Sequence, residues 1–180
     1  LRLQAGWNIV SLFIQPDPAD LMSVFQPLID AGILVKVVDE AGHTLENLGS
    51  LGGWVNPIGA WQETEGYKVY VNQATGLSVT GSRIPLPATI PLSAGWNMIS
   101  FPDAAVQDAL ASLGLLRETG VLIKVMDEAG NAMEDLGWLG GWVNYIGDFL
   151  HGKGYKVRVS AYTSLVISAD AGWFYSGGPY

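Results

Sequence analysis

The sequence predicts an α+β fold, mainly antiparallel β, made of two tandem homologous units. Each unit is expected to be a twisted sheet with one short helix, the two packed together by internal pseudo-symmetry. Three observations lead to this. Four short motifs occur twice, in the same order and at nearly constant spacing. One helix-periodic segment follows the first motif, and the rest alternates short apolar runs with turn residues. Finally, 180 residues with 49% apolar and 14% charged side chains can bury a real core, which a disordered composition cannot.

The repeat fixes the boundaries. Ala5-Gly6-Trp7-Asn8-Ile9-Val10-Ser11 recurs as Ala94-Gly95-Trp96-Asn97-Met98-Ile99-Ser100. Lys36-Val37-Val38-Asp39-Glu40-Ala41-Gly42 recurs as Lys124-Val125-Met126-Asp127-Glu128-Ala129-Gly130. Leu51-Gly52-Gly53-Trp54-Val55-Asn56 returns at 139–144, and Gly66-Tyr67-Lys68-Val69 at 154–157. Between 36–72 and 124–160, 22 of 37 positions are identical without a gap. Copy one is therefore assigned to residues 1–88 and copy two to 89–180. Residues kept in both copies are expected to serve the shared fold, and residues found in one copy are free to serve a site.

Along each copy, the Gly-Trp-Asn motif opens a strand, about 7–14 and 96–101. A helix follows, with Asp17 as its N-cap, Pro18 at the first helical position and Leu21, Val24, Phe25, Leu28 and Ile29 on one face. Pro27 should kink or shorten it, and Gly32 stands at the C′ position. In copy two Asp103 is the expected cap, and Gly114 should shorten or break the helix. Next, 33–38 and 44–48 form a hairpin around Asp39-Glu40-Ala41-Gly42, a type I turn ending in a left-handed glycine. The Gly-Gly-Trp-Val-Asn segment reads as a bulged strand or tight turn. A closing hairpin spans 67–71 and 77–80, repeated at 155–159 and 165–168. Ile84-Pro85-Leu86-Pro87 is an extended linker. A unit of about 88 residues is marginal alone, so the copies should bury a shared apolar interface.

Composition excludes several function classes. Nine Lys and Arg against 17 Asp and Glu give a net charge of −8, which argues against nucleic acid as the main partner. The chain has no cysteine, so disulfides, thiolate metal sites and Cys nucleophiles are out. No apolar run approaches the length of a membrane span; Ile33-Leu34-Val35 is cut by Lys36. Leu1 opens directly into patterned sequence without signal-peptide features, and is read as the start of a mature protein or of an excised segment.

Catalytic constellations are thin. His43 and His151 occupy non-equivalent positions and lack metal-binding neighbourhoods. Asp39-Glu40 and Asp127-Glu128 are adjacent carboxylates in predicted turns, where Asp and Gly belong for backbone reasons, whereas a glycosidase sets two across a cleft. Asp17 and Asp20 could bind calcium but lack a dedicated loop pattern. The sequence therefore predicts no enzyme, metal or cofactor.

The aromatics divide by the repeat. Trp7/Trp96, Trp54/Trp142 and Tyr67/Tyr155 are shared, and are expected to pin strands to the core. Trp138 stands for Ser50, Tyr145 for Pro57, and Phe149 for Trp61. Trp173, Tyr175 and Tyr180 have no clear counterpart. Trp138, Tyr145, Phe149, Trp173 and Trp61 are thus the candidate ligand-stacking residues, with Asn144 (and its equivalent Asn56) as a hydrogen-bonding partner. The alternative role for these rings is to seal the interface between copies.

Gly6-Trp7-Asn8, Gly53-Trp54, Gly66-Tyr67-Lys68-Val69 and Gly95-Trp96-Asn97 together resemble a family of repeat modules in secreted and cell-surface bacterial proteins, especially of Bacteroidetes. The match covers nearly the whole chain. Copy one departs from the family's Phe-Pro strand ending with Leu12-Phe13-Ile14. The resemblance implies a non-catalytic, secreted or cell-surface accessory module attached to a larger parent polypeptide. The expected function is carbohydrate binding, with a polysaccharide or cell-surface glycan as partner. The alternative is a structural or adhesin repeat, or the self-associating subunit of a surface polymer.

Overall fold

A buried asparagine begins each sheet. The side chain of Asn8 accepts the backbone N–H of Gln4 at 2.8 Å and donates to the Gln4 carbonyl at 2.9 Å, closing the bend that precedes the strand. Asn97 makes the same pair of bonds to Ser93, both at 2.8 Å. Gly6 and Gly95 sit at φ 96° and 104° inside these bends, where an L side chain would be strained. The first two letters of the motif that matter for the fold are therefore Gly and Asn.

The computed structural model describes residues 1–169. In chain order the first elements are β1 (Arg2–Leu3), β2 (Gly6–Val10), β3 (Ile14–Pro16), α1 (Leu21–Asp30), β4 (Leu34–Val38), β5 (Thr44–Asn47), β6 (Trp54–Val55), β7 (Tyr67–Val71), β8 (Thr75–Gly76) and β9 (Gly81–Arg83). Then follow β10 (Ala88–Leu92), β11 (Gly95–Ile99), β12 (Gln107–Asp108), α2 (Ala109–Ser112), α3 (Gly114–Glu118), β13 (Leu122–Met126), β14 (Ala132–Asp135), β15 (Trp142–Asn144), β16 (Asp148–Phe149), β17 (Tyr155–Val159) and β18 (Thr163–Ile167). The fold is mainly antiparallel β with few helices. One five-stranded sheet has the order β2-β7-β4-β5-β6, the other β11-β17-β13-β14-β15. Register irregularities fall between Leu34 and Lys36 and between Leu122 and Lys124.

Two apolar clusters form. One gathers Leu21, Phe25 and Leu28 of α1 with Val37, Leu45, Trp61, Tyr67 and Val69. The other gathers Leu113 and Leu116 with Phe101, Val125, Met133, Phe149 and Val157.

Several expectations are corrected. The helix is capped by Asp20, whose carboxylate accepts the Ser23 N–H at 2.9 Å, not by Asp17. Pro27 does not end it: Pro27 and Ser23 both face solvent, so the Ser23 carbonyl that loses its partner can bind water. Asp108 caps α2, while buried Asp103 accepts the Ala105 N–H and the Gln107 amide. The second helical segment is broken at Leu113, between α2 and the α3 that opens on Gly114. The hairpin turn forms as read, with Gly42 at φ 90° and Asp39 accepting the His43 N–H at 2.7 Å. The expected strand 77–80 is replaced by the short β8. Trp7 and Trp96 are not core residues; they are 52% and 45% exposed on the outer face of their strands.

The junction between the two clusters is built largely from backbone. Gly154 N–H donates to the Ile9 carbonyl at 3.0 Å, and Ser11 N–H to Gly152 at 3.3 Å. In the other direction, Gly66 N–H donates to Met98 at 2.9 Å, and Ser100 N–H to Thr64 at 3.0 Å. Ile9 and Met98 are buried here but belong to neither cluster. The seam thus combines backbone hydrogen bonds with buried apolar side chains, Ile9 and Met98 among them.

Candidate functional site

The most exposed tryptophan among the described residues stands on a glycine-built turn. After β14 the chain makes a 3₁₀ turn, Gly137–Leu139, in which Gly137, Gly140 and Gly141 take φ of 58°, 144° and 68°. The turn is closed by Leu136 N–H to Gly141 (2.9 Å) and Gly141 N–H to Gly137 (2.8 Å), and the Asp135 carboxylate accepts the Gly137 N–H at 2.8 Å. Three positive-φ glycines reverse the chain tightly and point what lies between them outward. Trp138 is 92% exposed and Leu139 65%. The first sheet carries the same turn at Gly49–Leu51, closed by Leu48 N–H to Gly53 at 2.7 Å, with Ser50 in the indole's place. The turn therefore forms without an indole, and Trp138 is not required by the backbone.

Tyr145 follows β15 on the same edge hairpin, about 10 Å along the strand from Trp142, and is 69% exposed. Its N–H donates to Ala132 at 2.9 Å, which anchors the backbone and leaves the ring outside. Asn144 has a different job from the one expected. Its amide oxygen accepts the Ile146 and Gly147 N–H groups, both at 3.0 Å, and its NH₂ donates to the Gly147 carbonyl at 2.7 Å. Asn56 closes the equivalent turn on Gly59. These amides are turn clamps: Asn56 donates to both the Gly59 carbonyl and the Asp20 carboxylate, and Asn144 donates to Gly147.

Phe149 and Trp61 are core residues, 0% and 2% exposed. The Phe149 ring lies 4.3 Å from Tyr155 and 5.6 Å from Phe101, and Trp61 lies 4.4 Å from Tyr67. Neither can stack on a ligand where it sits. The tyrosines behind them are turned inward too. Their hydroxyls accept the N–H of Leu150 and of Gln62, each at 2.8 Å. Burial pushes the Tyr155 phenol up to about 12, and Tyr67 further in the same direction. Trp173, like Tyr175 and Tyr180, lies outside the described residues.

Sequence reasoning missed the outer sheet faces. Trp7 pairs across strands with Tyr70, rings 5.1 Å apart and edge to face, and Tyr70 is followed across the sheet by Lys36 and Glu46. Lys36 and Glu46 form an ion pair at 2.6 Å. In the second sheet Trp96, Arg158, Lys124 and Glu134 occupy the corresponding row, with Arg158 6.0 Å from the Trp96 ring centre. Strand alternation carried this signal: Asn8 points in, so Trp7 points out. Tyr162, at 77% exposure between β17 and β18, was also unassigned.

The ionisable groups are engaged with one another. His43 contacts the Asp39 carboxylate at 2.8 Å, and His151 packs edge-on against Phe13. Glu40 and Glu65 are held above the usual glutamate range, in both cases first by burial and then by neighbouring carboxylates. Lys153 occupies the position equivalent to Glu65 and pairs with Glu128, which also accepts the Ile9 N–H at 3.1 Å. Among the described residues no group of three or more His, Cys, Asp or Glu could hold a metal ion. No helix among them is long and apolar enough to cross a membrane. Comparison with protein-family models, with curated proteins and with solved structures finds no match to this chain.

Proposed function

We propose that the chain is a non-catalytic extracellular binding module that recognises polysaccharide through the edge hairpin bearing Trp138 and Tyr145. One observation carries the reading: an indole with 92% of its surface exposed, on a turn that forms equally well around serine. Exposing an indole forgoes a large hydrophobic gain, and a flat ring held out on rigid backbone is suited to stacking on the apolar face of a sugar. Leu139 and Tyr145 extend the surface, and the Trp7 and Trp96 rows offer charged groups beside aromatic ones. The module is read as two tandem copies packed together by internal pseudo-symmetry. It is an accessory to a larger secreted or cell-surface protein, as the Gly-Trp-Asn resemblance implies. The turn-bound carboxylates and engaged histidines favour a non-enzymatic role.

Affinity electrophoresis across a panel of soluble polysaccharides, with pull-down on insoluble ones, tests this. Retention on at least one glycan is expected, with loss in Trp138→Ala and an unchanged melting temperature, because the side chain touches little of the fold. Absence of retention on every glycan overturns the carbohydrate reading. The second reading, a structural repeat that joins other chains, is favoured by the tandem repetition of the unit along the chain.

A further inference from the structure

The row of side chains that crosses the outer face of each sheet differs between the halves at one position. In the first sheet it runs Trp7, Tyr70, Lys36, Glu46 and Val55. In the second it runs Trp96, Arg158, Lys124, Glu134 and Val143. Four of the five residues are the same, and the Lys–Glu ion pair is kept, at 2.6 Å in the first row and 2.9 Å in the second. The exchange is Arg158 for Tyr70. Both stand on the strand next to the Trp-bearing one, β17 and β7, so the shared sheet accepts either. Tyr70 is half-buried with its ring against Trp7, whereas Arg158 is exposed, its guanidinium carbon 6.0 Å from the Trp96 ring centre.

The exchange makes the second face cationic. Arg158 lies directly across from Lys124, and like charges placed opposite each other weaken a sheet. Tyr70 opposite Lys36 carries no such cost. Stability therefore does not select arginine at this position. Lys156 lies two residues along β17 on the same face, about 7 Å from Arg158. Glu134 answers the charge of Lys124, but among the described residues neither Arg158 nor Lys156 has an acidic partner within ion-pairing distance. The chain is acidic overall, with a net charge of −8, and yet it gathers these cations beside a half-exposed indole. Toward the seam the patch ends at Met98, whose N–H is taken by Glu40.

We propose that the outer face of the second sheet is a second glycan subsite, selective for polysaccharides that carry carboxylates. Trp96 stacks on a sugar ring, and Arg158 donates two parallel hydrogen bonds to a carboxylate on that ring or the next. Guanidinium and carboxylate match in planar geometry, and such charge-assisted pairs are among the strong hydrogen bonds. Lys124 and Lys156 add positive charge around the same point. Neighbouring strands are about 4.8 Å apart, so Trp96 to Lys124 spans about 10 Å, and a short oligosaccharide lies across the strands along the row. An acidic peptide would also meet the cations. A uronic acid is favoured because it brings the carboxylate and an apolar ring face together, matching the guanidinium and the indole beside it. The ligand class rests on the polysaccharide reading, but the subsite does not depend on the Trp138 turn.

The probes are a galacturonate oligosaccharide and its methyl ester, which keeps the ring and removes the charge, each titrated into the whole isotope-labelled protein and followed by NMR. Saturable shifts are expected at the Trp96 indole and at the Arg158 and Lys124 amides, with the ester bound at least about ten-fold more weakly than the acid. Arg158→Tyr, which copies the first sheet, should weaken binding of the acid at least about ten-fold and abolish the preference over the ester. Arg158→Gln, which removes the charge alone, should do the same. Equal affinity for acid and ester overturns the proposal, as do shifts confined to the Trp138 turn or an unchanged preference in both variants. Equal binding of a glutamate oligopeptide also overturns it, because the face then takes any polyanion. If a neutral glycan is retained and the acid is not, this inference falls and the polysaccharide reading stands; if no glycan is retained, both fall.

Discussion

Replacing Gly66 by alanine tests the seam between the two halves directly. Gly66 is not in a positive-φ conformation, so the backbone itself accepts an L side chain and any cost is steric. A Cβ there would lie 2.7 Å from the Ile99 carbonyl oxygen and 3.2 Å from Met98 Cγ. The oxygen is backbone and cannot rotate away. Restoring ordinary contact requires β11 to retreat by roughly 0.7 Å, which stretches the 2.9 Å bond from Gly66 N–H to Met98 past hydrogen-bonding length. Overpacking of this kind costs about 1–3 kcal/mol, and a loosened hydrogen bond about 1 more. The expected loss is therefore about 2–4 kcal/mol, or about 5–15 °C in melting temperature for a chain of this size. Guanidinium titration followed by tryptophan fluorescence, with calorimetry, measures it. Gly76→Ala is the control, because its Cβ would meet nothing closer than 3.9 Å. It should stay within about 0.5 kcal/mol of the parent. If Gly66→Ala behaves like the control, close approach of the halves is not what requires glycine in the Gly-Tyr-Lys-Val motif.

Two further outcomes follow from the site and its surroundings. Glu40 and Glu65 are held above the usual glutamate range, so the folded state disfavours their ionisation, and their joint effect is destabilisation that grows as pH rises through that range. Glu65→Lys, which copies the Lys153–Glu128 arrangement, should raise stability by up to about 1 kcal/mol near pH 7, with the gain fading toward pH 4 as Glu40 takes up a proton. Melting temperatures at both pH values check this, and an equal shift at the two would refute it. Phe149→Ala should cost about 3–5 kcal/mol in a urea titration, against no more than about 0.5 for Trp138→Ala. Comparable losses would mean that Trp138 is part of the core.

Comparison of the two copies located the motifs correctly but misjudged some of the side chains. Identity between copies marked Asn8, Gly66 and Tyr67, each of which has a packing or hydrogen-bonding reason to be there. It also marked Trp7 and Trp96, which face outward; a shared residue can be kept for the outer face of a sheet as readily as for its core. Difference between copies failed in the opposite way. Phe149 for Trp61 exchanges one large ring for another in a buried slot, so it preserves volume rather than freeing a position. Among the described residues the Trp61 indole N–H finds no partner there, a cost the phenyl ring avoids. Trp138 for Ser50 is a different case, since no buried volume is conserved. Asn144 was legible as a turn residue from the glycine three positions on, a spacing shared with Asn56 and Gly59. Asp17 and Asp20 both suit an N-cap by type, and only the start of the helix at Leu21 separates them.

The seam covers one polar margin of each sheet. β2 and β11 each lie at the margin of their sheet, and an uncovered margin exposes a row of backbone donors and acceptors to any passing strand. Here Gly152 and Gly154 engage Ser11 and Ile9, Thr64 and Gly66 engage Ser100 and Met98, and Glu128 takes the Ile9 N–H. Each half thus quenches the polar margin of the other, and Gly66 and Gly154, which permit the approach, open the repeated Gly-Tyr-Lys-Val motif. The opposite margins, β6 and β15, are short, at two and three residues, and offer little to pair with. The β15 margin carries Tyr145 just past its end and Trp138 at the turn before it. The sheet edges least able to recruit another strand are therefore left open among the described residues, and the exposed rings of Trp138 and Tyr145 lie on one of them.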